Sequence, residues 1–273
     1  MLRFSGAGVS DVGRVRPHNE DSAFHGPYVA LVADGVGGAA AGEIASATTA
    51  YVVSATALAR FGDDPATVLG DAVATVRVSL RAGVRQDGGR AGMATTLTAL
   101  VCDGRRVVLG HVGDSRAYLY RDGELRRVSS DHTYVQHLID TGQLRPDQAP
   151  QHPWRNVVMR SLDGGPETGM GGPDLVDLDV VPGDRLLLCT DGLTDLVDEE
   201  RIAEVMRLAD PHSVAAVLTH SALMAGGKDN VTCVVLDVVD GPVVVGDGRL
   251  LGAVLDIANV VDPGAVRLRH SPA

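Results

Sequence analysis

Apolar runs, most of them ending at Gly or Asp, predict six strands along the chain: Tyr28–Ala33, Thr95–Cys102, Arg106–Val112, Arg116–Tyr120, Arg185–Thr190 and Val231–Val238. They are rich in Val, Leu, Thr and Tyr, residues that suit a pleated, half-buried surface. Asp103-Gly104 and Asp122-Gly123 each separate two such runs. Asp-Gly between strands signals a tight hairpin, so an antiparallel sheet is expected. Helical spacing replaces alternation in two early blocks. Ile44, Thr48, Tyr51, Val52, Ala55 and Leu58 form one stripe; Leu69, Ala72, Val73, Val76 and Leu80 form another, after Pro65. Two later helices are predicted over about Asp198–Leu208 and His212–Met224, the second opened by Pro211. Paired helices between runs of strands favour α+β layers over an alternating βαβ wind. One domain over residues 1–240 is expected, with a C-terminal extension over 241–273. Residues 140–172, rich in Pro and Gly, read as a long ordered loop or flap.

The charge pattern narrows the function. The chain has 273 residues, 35 acidic and 24 basic, for a net charge of −11. Lys228 is the sole lysine, and aspartate outnumbers glutamate 28 to 7. Such a balance, with nine aromatics, excludes a basic nucleic-acid-binding face. No apolar run of 18 residues marks a membrane span, and Met1 to Gly6 lacks a signal-peptide core. A cytoplasmic monomer with no nucleic-acid or membrane partner is expected. Cys102, Cys189 and Cys233 sit in apolar runs and read as buried core thiols.

Among the Asp-Gly pairs, Asp34-Gly35 and Asp191-Gly192 follow a strand without leading into a second one. Each places a carboxylate at a buried strand end, with a glycine that lets the backbone approach closely. Asp114 ends another strand through Gly113, and Asp229 precedes the last long strand. Carboxylates gathered at one sheet edge repel unless cations neutralise them. An all-oxygen set suits Mg²⁺ or Mn²⁺ rather than Zn²⁺, and a pair of such ions clamps a phosphoryl group. Arg16-Pro17-His18-Asn19-Glu20-Asp21 adds a guanidinium able to bind a phosphate dianion bidentately.

Taken in order, these segments resemble the metal-dependent protein Ser/Thr phosphatase family, type 2C, and in particular its compact bacterial members. The matching stretches are Ser10-Asp11-Val12-Gly13 with Arg16 and Asn19-Glu20-Asp21-Ser22; Ala33-Asp34-Gly35-Val36-Gly37-Gly38; Gly92-Met93-Ala94-Thr95-Thr96; Gly113-Asp114-Ser115-Arg116-Ala117-Tyr118; Thr190-Asp191-Gly192-Leu193; and Asp229-Asn230-Val231-Thr232. They span about residues 6–238. The resemblance implies a four-layer αββα sandwich of two antiparallel sheets flanked by helix pairs. It implies that Asp34 bridges two metals, that the Gly35 carbonyl ligates one, and that Asp191 and Asp229 hold the other. Glu20 and Asp21 would act mainly through waters, and Arg16 would bind the substrate phosphate. Asp114 with Asp191 would hold a third ion. Two, possibly three, Mn²⁺ or Mg²⁺ ions are thus implied, and a metal-bound hydroxide would attack phosphorus with no phosphoenzyme.

Val36 stands where many eukaryotic members carry a histidine, so a metal-bound water is the expected proton donor. Ala94 replaces a usual glycine, a minor departure. Trp154 is expected to pack into the flap's own small core, with contact to a substrate protein as the alternative. His18 reads as a turn residue and His111 as a satisfied sheet residue. Gly226-Gly227-Lys228 fails as a phosphate loop, because Ala222 and Asp229 occupy the positions that need Gly and Ser or Thr. Residues 243–251 are expected to add an edge hairpin, with docking of a partner as the alternative. The resulting expectation is hydrolysis of phosphoserine and phosphothreonine in proteins, opposing a bacterial Ser/Thr kinase. The alternatives are a phosphatase dedicated to a phosphorylated anti-anti-sigma-type regulator, and a non-catalytic phosphoprotein-binding pseudophosphatase.

Overall fold

The computed structural model describes residues 1–36, 41–165, 172–246 and 248–265. Gly37 and Gly38 of the second motif, Pro166 of the flap and Asp247 lie outside the described residues. Strands are numbered in chain order. One sheet runs β1 (Leu2–Asp11), β12 (Val231–Asp240), β11 (Arg185–Cys189), β7 (Arg116–Arg121), β8 (Glu124–Arg127). The other runs β10 (Asp174–Leu178), β6 (Val107–Val112), β5 (Leu97–Cys102), β3 (Val29–Val36), β2 (Asp21–His25), β13 (Arg249–Gly252). Two short strands, β4 (Ala94–Thr95) and β9 (Leu162–Asp163), extend from β3. Both expected hairpins form: β5 pairs with β6 and β7 with β8, antiparallel. In the second, Asp122 and Gly123 both take positive φ, 52° and 89°, as a tight turn of that hand requires.

Helices α1 (Gly42–Ala59) and α2 (Pro65–Gln86) cover the β2–β3–β5–β6 sheet; α4 (Asp191–Thr194), α5 (Glu199–Val205) and α6 (Pro211–Met224) cover the other. The architecture is the expected αββα sandwich of the α+β class. Its logic is visible in β12, whose side chains alternate between two cores. Val234, Leu236 and Val238 face the space between the sheets, while Val231, Cys233 and Val235 face the α4–α6 layer. The three cysteines are buried and free, as expected. Among the described residues no helix is long and apolar enough to cross a membrane.

Part of the aspartate surplus is local structure. Asp64, Asp198 and Asp210 are helix N-caps, accepting from the backbone N–H of Thr67, Arg201 and Ser213. Pro65 and Pro211 follow two of them at the first helical position.

Two expectations are corrected. The stripe read on α1 contains only Thr48 and Val52 as fully buried positions; Ala45, Ala47, Ala50, Val53 and Ala57 are buried as well. This helix is enclosed on several sides, which small residues permit, so no single stripe defines it. The hairpin over 243–251 is a single strand instead: β13 pairs with β2, and 243–246 carry no strand. The described part of the flap follows α3 (Tyr134–Asp140) and is mostly turns, with one 3-10 turn over Pro146–Gln151 and the two-residue β9, which pairs with β4.

Candidate metal centre

β2 and β3 set the site's geometry. Their antiparallel register puts Asp21 directly opposite Asp34. Like charges facing each other across a strand pair destabilise it, so the arrangement needs an offset. The backbone holds Asp34 firmly. Its N–H donates to Thr96 Oγ1 at 2.9 Å, and its carbonyl accepts from Thr95 Oγ1 at 2.8 Å and from the Thr96 N–H at 2.9 Å. Gly35 packs so closely that a Cβ there would come within 2.6 Å of the Gly42 carbonyl oxygen. Asp191 opens α4 immediately after β11, and a Cβ on Gly192 would overlap the carbonyl oxygen of Asn230. Asn230 in turn staples the Arg16 loop to β12. Its Oδ1 accepts from the Glu20 N–H at 2.8 Å, and its Nδ2 donates to the carbonyls of Val12 at 2.8 Å and His18 at 2.9 Å.

The electrostatics follow from burial. Asp21 is wholly buried, and desolvation raises its carboxyl to about 7. Hydroxyl donors from Thr232 (2.7 Å) and Thr190 (2.8 Å), both to Oδ2, partly oppose that rise. Oδ1 of the same carboxyl is buried without a hydrogen-bond partner. Asp34 is pushed well above the usual carboxylate range by burial, then by the charges of Asp21, Asp191, Asp114 and Asp229. Asp191 rises for the same reasons, with Asp114 and Asp195 its strongest neighbours. Burial and Asp131 raise Asp114 to about 6. Burial and Glu43 raise Glu20. Arg16 is exposed, and its Nη2 donates to Asp229 Oδ2 at 2.7 Å. The arginine expected to seat phosphate therefore holds one of the acids expected to hold metal.

These residues fit divalent cations. The donors are all oxygens, their charges repel, and one buried carboxylate oxygen lacks a proton donor. Among the described residues no three His, Cys, Asp or Glu side chains already form a closed ligand set. The acids are mutual neighbours rather than a preformed cage.

A cavity of about 230 Å³ adjoins the cluster, lined by Asp114, Arg116, Asp131, Arg155, Asp191 and Asp195 among others. Arg116 grips Asp131, with Nη2 at 2.7 Å from Oδ2. From the flap, Arg155 and Asn156 reach Asp195 at 3.5 and 3.4 Å. Asp195, Arg116 and the Thr190 and Thr232 hydroxyls escaped the sequence reading as site residues, although three of them lie within or beside its motifs. Trp154 packs edge-on to Tyr134 at 5.4 Å but stays 57% exposed, so it is not enclosed in a flap core. His111 is satisfied as expected, by Thr98 Oγ1 and the Ser130 carbonyl, both at 3.0 Å. A larger cavity of about 680 Å³ lies at the other end of β11, beside Arg185. That guanidinium is engaged by Asp237 and the carbonyls of Met206, Leu208 and Ala209.

Comparison with known proteins places this cluster in context. The serine/threonine protein phosphatase PstP of Mycobacterium tuberculosis is 43% identical over 247 residues, covering 88% of this chain but 46% of PstP. This chain thus spans about half of that relative's length. The serine/threonine phosphatase Stp of Listeria monocytogenes is 34% identical over 244 residues, covering 84% of this chain and 93% of Stp. The crystal structure of the PstP catalytic domain in complex with two manganese ions superposes with a TM-score of 0.78 at 41% identity. It covers 88% of this chain and all of that one. The profile of the family described as Protein phosphatase 2C matches residues 17–225. With most of its length inside that match, and with bacterial Ser/Thr phosphatases similar to it in sequence and fold, the chain belongs to the protein phosphatase 2C family.

Proposed function

We propose that this protein hydrolyses phosphoserine and phosphothreonine in proteins, with Mn²⁺ or Mg²⁺, and opposes a Ser/Thr kinase. The observation that carries this reading is the Asp21–Asp34 pairing, with Asp191 and Asp114 close enough to raise Asp34 further. A fold does not hold so many acids together for its own stability. The relatives' names supply the substrate class, and the manganese in the PstP domain supplies the metal class.

Asp34, the Gly35 carbonyl, Asp191 and Asp229 would hold two cations, with Glu20 and Asp21 acting through water. Asp114 with Asp191 offers a third position. The cations, when bound, supply Lewis acidity and lower the pKa of water to make a nucleophile. The protein's own groups do the rest. Arg16 is exposed at the mouth and can exchange Asp229 for a phosphate dianion, a better bidentate partner. Thr190 and Thr232 keep Asp21 oriented and favour its ionised form. The cavity beneath the flap gives the residues flanking the phosphoamino acid a polar wall. The test is hydrolysis of p-nitrophenyl phosphate and of a phosphothreonine peptide. Turnover with Mn²⁺ and its loss in EDTA are expected; no turnover with any divalent metal would reject the activity.

A further inference from the structure

The C-terminal segment lies beyond the family match, which ends at residue 225, yet it reaches the candidate site. β13 runs antiparallel along the outer edge of β2, pairing Arg249 with His25 and Gly252 with Ser22. It therefore arrives beside the metal edge at Gly252. There φ is +78°, and a Cβ would overlap the carbonyl oxygen of Asp21 and come to 3.0 Å from Ser10 Oγ. Leu251 fills the seam between the sheets; a Cβ on Gly8 of β1 would come within 2.5 Å of its Cδ1. The chain then crosses α1. The Val261 N–H donates to Thr48 Oγ1 at 3.0 Å, and Tyr51 Oη donates to the Pro263 carbonyl at 3.3 Å. Ala253, Val254, Val260 and Val261 are all buried. The same helix meets β2 through Ser46 Oγ and Ser22 Oγ, 3.0 Å apart.

We propose that residues 249–263 form a strap that positions Asp21 for metal binding. Asp21 is the first residue of β2, where a strand end frays, and it faces the like charge of Asp34. Repulsion across the pair would move the less restrained strand. On its far side β3 is held by β5 and β4, and Asp34 itself bonds Thr95 and Thr96, whereas the far side of β2 is held only by the four residues of β13. Thr190 and Thr232 orient the Asp21 carboxyl, while the strap restrains its backbone, with Gly252 the point of closest approach.

This inference rests on the metal-site reading above, and the experiment separates the two. In the full chain, Gly252→Ala and Gly248→Ala are compared by Mn²⁺ calorimetry and by thermal melts in EDTA. Gly248 is the control, because a Cβ there would also overlap β2, at the His25 carbonyl and Phe24 ring, away from the acids. Both variants should lose thermal stability. Only Gly252→Ala should raise the Mn²⁺ Kd, by about tenfold or more, as loss of an outer support of a metal ligand does. Leu251→Ala, which removes the seam anchor without a clash, should raise the Kd in the same direction and decides the matter if Gly252→Ala does not fold. An unchanged Kd in the folded strap variants, or an equal rise in Gly248→Ala, would overturn the strap. A wild-type protein that binds no Mn²⁺ would instead overturn the metal site itself.

Discussion

Replacing Asp21 with Asn should stabilise the metal-free protein at pH 8 and destabilise it below pH 4. The Asp21 carboxyl moves from an ordinary 3.8 to about 7 on folding, through burial. That displacement corresponds to about 4 kcal/mol between its two protonation states. Below pH 4 the group is neutral in both folded and unfolded chains and contributes nothing. Between about pH 4 and 7 the folded chain keeps a proton that the unfolded chain loses, so stability falls as pH rises. Above about 7 the penalty is complete. An asparagine carries no charge to bury, but its amide meets the place where Oδ1 has no partner. An unsatisfied polar group there costs about 1–3 kcal/mol. The net gain is then about 1–3 kcal/mol at pH 8, or about 2–5 °C in midpoint for a chain of this size. Thermal melts in EDTA at pH 5.5 and pH 8 measure it, and the advantage should grow with pH. A variant less stable than wild type at pH 8, or a difference that ignores pH, would refute the argument. With Mn²⁺ present the order should invert, because the asparagine forgoes the metal's stabilisation.

Other substitutions test other parts of the site. Asp191→Asn should abolish Mn²⁺ binding and turnover together, and turnover near wild type would reject its assignment as a ligand. Arg16→Ala removes a charge-assisted contact of about 1.5–3 kcal/mol, so kcat/KM should fall about tenfold to a hundredfold. That loss should fall mainly on KM; a loss confined to kcat would contradict a phosphate-seating role. Gly192→Ala forces a methyl into the Asn230 carbonyl and should cost about 1–3 kcal/mol, read as a lower denaturation midpoint. An unmoved midpoint would show that the loop yields freely.

What the chain discloses before folding depends on how far the cause of each feature lies along it. β11 and β12 are buried on both faces, so their apolar runs stand out. β10, read as Asp-Leu-Val-Asp-Leu, is an exposed edge strand and sends no such signal. β1 looks strand-like only at Gly8–Asp11, yet it extends from Leu2 because β12 pairs with it over its whole length. The candidate acids were legible because each sits at or near a strand end, and Asp34 and Asp191 are followed by a glycine. The facing of Asp21 and Asp34 was not, because nothing in either segment states the register between them. The hydroxyls of Thr190 and Thr232 lay inside motifs without a visible task. Their task arises only when β11 and β12 bring both to one carboxylate. The strap was the least legible part, since its burial depends on α1, some 200 residues earlier.

The pairing of β1 with β12 also sets when the protein can work. Leu2 lies against Asp240 and Asp11 against Val231, so the sheet's first strand waits for its last long one. Arg16 and Asp229 are separated by 213 positions. At ribosomal speeds of about 5–20 residues per second, that gap lasts on the order of ten to forty seconds. During it the β2–β3–β5–β6 layers can assemble from neighbouring segments, whereas the Arg16 loop has no Asn230 to fasten it. A nascent chain is therefore one half of the sandwich without the candidate metal site. Ribosome-stalled chains whose emerged part stops short of Asp229 should not retain Mn²⁺, and retention would show that the site forms without its final strand.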